Sequence, residues 1–186
     1  MSPSLVDDIA SISRKAGQLI AKAYTENIDI QHKGMIDLVT ETDHASEDFI
    51  IQFLETKYPE ATILAEETGN HEKEGNLRFI VDPLDGTVNF AHKIPYFCVL
   101  IAAQERDNNG KYKTIASATY DPIQDEIFLA TANQGATRNG LPIRVSTADS
   151  LLNSLLVTGF GYERLFQQPD NHAEFCRLNL LSQGVR

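Results

Sequence analysis

Two amphipathic helical stretches, followed by a series of short β-branched runs joined by tight turns, leave few architectures open to this chain. From Ser4 onward Leu5, Ile9, Ile12, Ala16, Leu19, Ile20 and Ala23 recur at the helical period, and Ser4 and Asp7 have capping-box spacing. A second helix is predicted from a cap at Thr42 or Asp43 through Ala45, Phe49, Ile50, Phe53 and Leu54. It ends before Pro59, because a proline pushes the preceding residue out of the helical region. Residues 33–40, between the helices, read as a turn and a short extended piece. Beyond Pro59 the texture changes to β-branched and aromatic runs at 61–65, 78–81, 96–105, 113–120 and 126–131, which are predicted strands. Asp107-Asn108-Asn109-Gly110 and Asp121-Pro122-Ile123-Gln124-Asp125 carry turn chemistry, which favours antiparallel hairpins over long crossovers. An α+β fold with helices layered on a sheet is expected. A turn at 139–142, a strand-like stretch at 153–158 and a helix-like stretch at about 169–182 complete the chain.

Length and charge limit what such a fold can do. At 186 residues the chain is about one domain, and its 42% hydrophobic and 23% charged content is that of a folded globular protein. Sixteen Lys and Arg against 26 Asp and Glu leave a net charge of −10, a field that repels phosphate backbones, so no nucleic-acid partner is expected. An anionic substrate would require these carboxylates to be organised around metal ions. The two cysteines, Cys98 and Cys176, offer neither a disulfide framework nor a zinc motif and read as buried packing. The N-terminal stretch lacks a continuous apolar segment, and no later run approaches the roughly 18 apolar residues that span a membrane. A cytoplasmic location without a membrane partner is expected. The final residues, 180–186, have no polar tail and no evident place for Leu180 and Leu181 to pack, and read as an interrupted chain.

The strongest chemical signal is the run Phe79-Ile80-Val81-Asp82-Pro83-Leu84-Asp85-Gly86-Thr87-Val88-Asn89-Phe90. An apolar strand delivers Asp82, Pro83 forces a turn, Asp85 follows, and Gly86-Thr87 can open a short helix. Two carboxylates beside helix N-terminal N–H groups suit a hard cation next to a phosphate. A solvated Asp-Pro turn followed by an Asp helix cap is the plainer alternative. Upstream, Glu66 and Glu67 end a strand, and since neighbours on a strand point to opposite faces, only one can easily join the aspartates. Asp43, at a helix start, has the ordinary role of an N-cap.

Taken together, DLVTETD at 37–43, the Glu pair at 66–67 and VDPLDGTVNFAHKIPYFCVLIA at 81–102 resemble the magnesium-dependent, lithium-sensitive sugar phosphatases, and within them the inositol monophosphatase family. KAGQLIAKAY at 15–24, YDPIQDEIFLATANQGATRNG at 120–140 and VTGFGYER at 157–164 extend the resemblance from end to end. It implies a layered α/β/α/β/α fold whose second half is incomplete here, with a metal-binding half at 1–145 and the start of the second half at 146–186. The implied activity is hydrolysis of inositol 1-phosphate or a related polyol or sugar phosphate by a metal-activated water, in a homodimer. Residue by residue, Glu66, Asp82 and the Leu84 carbonyl would hold one Mg2+, and Asp82 would bridge to a second held by Asp85. Glu66 and Thr87 would position the attacking water, Asp43 would hydrogen-bond the Thr87 hydroxyl, and Asp85 with the Gly86 and Thr87 amides would meet the phosphate. Lys33 matches a basic position only across a gap and is left out.

One departure bears on this expectation. The family completes its second metal site with a later Trp-Asp segment, and this chain contains no tryptophan. Asp85 would therefore lack a partner carboxylate. The alternatives are a catalytically incompetent remnant with a binding or dimerisation role, or a family member acting on fructose bisphosphate, histidinol phosphate or a nucleotide phosphate. An aspartyl-phosphate mechanism is disfavoured, because its two carboxylates sit two apart, whereas Asp82 and Asp85 are three apart with Pro83 between them.

Overall fold

The computed structural model describes residues 4–26, 30–32, 38–160 and 171–186, without the side chains of 30–32 and 38–40. The first element, α1 (Leu5–Tyr24), starts at a true capping box: the Ser4 hydroxyl accepts from the Asp7 N–H, and Asp7 accepts from the Ser4 backbone. The Ser4 hydroxyl also donates to Asp7 and, with the backbone bond, holds the Asp7 carboxyl below its ordinary range. Strands β1 (Ile30–His32) and β2 (Leu38–Thr40) form a two-stranded sheet, and α2 (Glu41–Lys57) follows at once. Thr42 and Asp43, expected as the cap, thus lie inside the first helical turn, and both are buried.

The remaining elements of this unit are β3 (Thr62–Ala65), β4 (Gly69–His71), β5 (Leu77–Asp85), α3 (Thr87–Ala91), β6 (Cys98–Arg106), β7 (Tyr112–Asp121), β8 (Glu126–Thr131), β9 (Gly135–Arg138) and β10 (Leu141–Ile143). Eight of these strands make one sheet in the order β10-β9-β8-β7-β6-β5-β3-β4. The hairpin turns deliver the expected antiparallel neighbours, while β3 lies parallel to β5 with Ala65 opposite Val81. Strand β5 does not end at residue 81. Its pairing shifts between Asp82, opposite Leu100, and Asp85, opposite Cys98, so β5 carries one extra residue there. Pro83, which has no N–H to give to the ladder, sits inside this bulge.

Along β5 and β6 burial alternates, with Phe79, Val81, Val99, Ile101 and Ala103 on the covered face. Helix α1 packs on β6, β7 and β8, and α2 packs on α1 and β5. Ile9, Ile12, Ala16 and Ile20 meet Ile50 and Leu54 in this core, all of them sealed from solvent. Each such large aliphatic side chain contributes roughly 1.5–3 kcal/mol by burial. Asp8 is also buried; its carboxylate accepts from the Tyr58 hydroxyl at 2.6 Å and pairs with Lys57, tying the first turn of α1 to the end of α2.

A second unit covers, among the described residues, 144–160 and 171–186 together with His32. Its described part holds a 3-10 turn (Leu151–Asn153), a parallel pair β11 (Leu155–Leu156) and β12 (Gly184–Val185), and α4 (His172–Leu181). The strand expected at 153–158 is reduced to two residues, and the helix expected at 169–182 is described from His172. Residues 161–170, and the turn expected at 33–37, lie outside the described residues. None of α4's residues is buried, and Phe160 stacks on His172 at 4.7 Å. Short β4, β9 and β10 were not expected from sequence: they contain Gly, Asn, His, Thr, Arg and Pro rather than a β-branched run.

Candidate active site

The parallel pairing of β3 and β5 brings the carboxylate segments together. Just past the end of β3 the Glu66 N–H donates to the Val81 carbonyl within β5 at 3.2 Å, which sets Glu66 beside Asp82. Glu66 is exposed, whereas Glu67 is half-buried and donates its N–H to Glu47. Asp82 is half-buried, and its acid is pushed up to about 8, first by burial, then by the Glu66 charge and side-chain hydrogen bond, then by Asp85. The Leu84 N–H, 3.2 Å from Asp82 Oδ1, opposes the shift. Among the described residues, every charged group acting on Asp82 is thus another carboxylate.

The bulge in β5 then turns the chain into α3 through Gly86, whose φ of 96° is a left-handed conformation. A Cβ at this position would lie 2.9 Å from the Tyr96 carbonyl oxygen, so only glycine fits. No side chain caps α3. Thr87, at its first position, has its hydroxyl 2.9 Å from Asp43 Oδ1 and 3.1 Å from the Leu84 carbonyl. A hydroxyl has one proton, so it donates to one of these or forks between them, and its lone pairs stay available. Asp43, only 1% exposed, lies in the first turn of α2 and accepts from Thr87, so it supports the start of α3.

Three neighbours of these residues escaped the sequence reading. Ser46 donates to the Pro83 carbonyl at 2.9 Å, and the fully buried Glu47 accepts the Glu67 and Thr68 N–H groups, each at 2.8 Å. A signal was present: Asp43, Ser46, Glu47, Ile50 and Leu54 fall at i+3 and i+4 spacing on one face, and polar residues on a core-facing stripe call for partners. Cys98, read as simple packing, is half-buried with its thiol 3.8 Å from Asp85 Oδ2. Burial, then Asp85 and Asp82, push that thiol up to about 12, so at neutral pH it is a protonated donor.

The donor chemistry fits a hard divalent cation, since Glu66, Asp82 and Asp85 offer anionic oxygens at one end of the sheet and, among the described residues, no basic group acts on Asp82. The contacts run pairwise through Asp82. Among the described residues no group of three or more His, Cys, Asp or Glu already stands in cation-holding geometry. No helix of the described residues is long and apolar enough to cross a membrane.

Comparison with known proteins bears on the family and the fold. Residues 3–186 match the inositol monophosphatase family. An inositol-1-monophosphatase of Synechocystis sp. is 43% identical over 173 residues, covering 92% of this chain and 58% of its own length. The solved structure of the extragenic suppressor protein suhB from Bartonella henselae superposes with a TM-score of 0.87 at 32% identity, over 99% of this chain and 70% of that one. The structure of inositol monophosphatase from Anabaena (Nostoc) sp. gives a TM-score of 0.83 at 38% identity, over 97% of this chain and 65% of that one. The chain spans only 56 to 59% of the length of the curated relatives it matches. On its sequence and on its α+β fold alike, the chain belongs to the inositol monophosphatase family.

Proposed function

We propose that the intact protein is a magnesium-dependent phosphomonoester hydrolase acting on inositol 1-phosphate or a related polyol or sugar phosphate, in the cytoplasm and as a homodimer. The observation that carries this reading is the meeting of three carboxylates, Glu66, Asp82 and Asp85, with a carboxylate–hydroxyl pair, the buried Asp43 and the half-buried Thr87. A divalent cation held by Glu66, Asp82, the Leu84 carbonyl and Asp85 would supply Lewis acidity and offset the charge of an anionic ester. Thr87, its proton committed to Asp43 or Leu84, offers lone pairs that receive a hydrogen from water and so orient it. Glu66, exposed at the strand end, is the second acceptor for that water. The Gly86 and Thr87 N–H groups at the start of α3 meet the phosphate oxygens. The division into a cation-binding half at 1–145 and the start of a second half at 146–186 belongs to the same reading.

A role in binding or dimerisation without turnover is favoured by one observation, the lack of a three-ligand arrangement among the described residues. Phosphate release from inositol 1-phosphate, assayed with magnesium and with a chelator, separates the two. Release that needs magnesium supports the hydrolase. Release that survives chelation refutes it, and magnesium binding without any release favours the second role.

A further inference from the structure

We propose that Glu47 is a positioning residue for the cation site, its buried carboxylate clamping the Glu67 and Thr68 amides so that Glu66 is presented to Asp82. The proposal rests on the cation-dependent reading above. Glu47 is fully sealed from solvent, and its Oε2 and Oε1 each accept one backbone N–H at 2.8 Å. A buried carboxylate costs several kcal/mol unless it is hydrogen-bonded, so packing alone would favour an aliphatic side chain here. Its bonds secure the peptide immediately after Glu66, while the Glu66 N–H is secured to the Val81 carbonyl at 3.2 Å. The Glu66 side chain is therefore exposed on a backbone held at both ends.

The same helix face secures the other two site segments. Ser46 holds the Pro83 carbonyl between Asp82 and Leu84, and Asp43 holds Thr87. At i, i+3 and i+4 these three side chains project from a little over one turn of α2, so a single rigid element sets the spacing of the strand-end Glu66, the β5 bulge and the α3 start. Glu47→Gln keeps the shape but turns an NH2 group toward one of the two amide donors, losing one bond and opposing two donors.

The test uses E47Q in the full chain, with magnesium alone as probe. We expect amide exchange at Glu67 and Thr68 to speed by at least about tenfold, with protection of 101–103 in β6 retained. Magnesium affinity by calorimetry should fall about 10- to 100-fold, the usual effect of losing a group that orients a ligand. Where turnover is measurable, kcat should fall with KM unchanged. Native exchange at these two amides, or faster exchange with native magnesium affinity, overturns the proposal. If E47Q does not fold, magnesium titration of the native chain followed by amide NMR decides: Glu67 and Thr68 must shift together with Glu66, and amides that stay put overturn it. Absence of any magnesium binding by the native chain refutes the cation reading itself; the exchange rates in E47Q then decide separately whether Glu47 anchors the strand end.

Discussion

Thr87 and Asp43 stand 44 residues apart in the chain and meet through a 2.9 Å hydrogen bond that joins the start of α3 to the first turn of α2. Asp43, sealed from solvent, and the Leu84 carbonyl at 3.1 Å between them take up the hydroxyl's proton, which leaves its lone pairs for a water.

The first prediction concerns that hydroxyl. Thr87→Val keeps the branched shape and removes the acceptor, so phosphate release should fall by about 100-fold or more, the scale of proton-handling groups. Thr87→Ser should retain much of the activity. Steady-state assays beside thermal melts check this, and a T87V protein with native turnover would remove Thr87 from the chemistry.

Asp82 gives a pH prediction for the metal-free chain. Its folded carboxyl is raised from 3.8 to about 8, so the protonated form is the one the fold favours. That contribution is complete below about pH 4 and is lost as pH rises through about 8. With chelator present, the melting temperature should drop between these limits, and Asp82→Asn should flatten the slope. Excess magnesium should also flatten it, by offsetting the repulsion among Glu66, Asp82 and Asp85. An unchanged slope in D82N would assign the effect to other groups.

Much of this was legible in the sequence because periodicity and turn chemistry are local signals. The apolar positions of α1 predict a helix that runs from Leu5 to Tyr24, and Asp107–Gly110 marks the β6–β7 turn. The β5 bulge was not legible, because Asp-Pro-Leu-Asp is equally consistent with a turn, and only the β6 partners Leu100 and Cys98 decide it. Asp43 illustrates the same limit: its helical position suggests a cap, and nothing local points to its bond with Thr87 of α3. Glu47 was passed over because nothing in the sequence says which distant N–H groups a buried carboxylate will find. Local pattern gave the elements, and long-range hydrogen bonds decided the roles.

Two buried serines predict opposite outcomes for one chemical change. Ser13, inside α1, is fully buried, and its hydroxyl has no hydrogen-bond partner among the described residues. Removing it relieves an unmet desolvation cost, so Ser13→Ala should stabilise the protein by about 1 kcal/mol. Ser46 is equally buried but donates to the Pro83 carbonyl, and Ser46→Ala should cost about 1–1.5 kcal/mol. Urea unfolding of both variants measures the difference, and equal signs would refute the argument.

Gly17, in the middle of α1, sets a helix propensity gain against a steric cost. Glycine is unfavourable by about 1 kcal/mol relative to alanine in a helix, so propensity alone predicts that Gly17→Ala stabilises. A Cβ there, however, would lie 2.4 Å from Tyr120 Cδ1 and 2.6 Å from Cε1. The ring cannot readily swing away, because its hydroxyl donates to Asp125 at 2.9 Å and the Arg14 guanidinium lies 5.2 Å from its centroid. Helix α1 must instead lift from β7, at the roughly 1–3 kcal/mol typical of overfilling a packed core. The steric term should equal or exceed the gain, leaving G17A no more stable than the native protein. The exposed Ser11→Ala, which has no such neighbour to meet, should gain a few tenths of a kcal/mol. A G17A protein more stable than S11A in urea would show that the α1–β7 contact yields without cost.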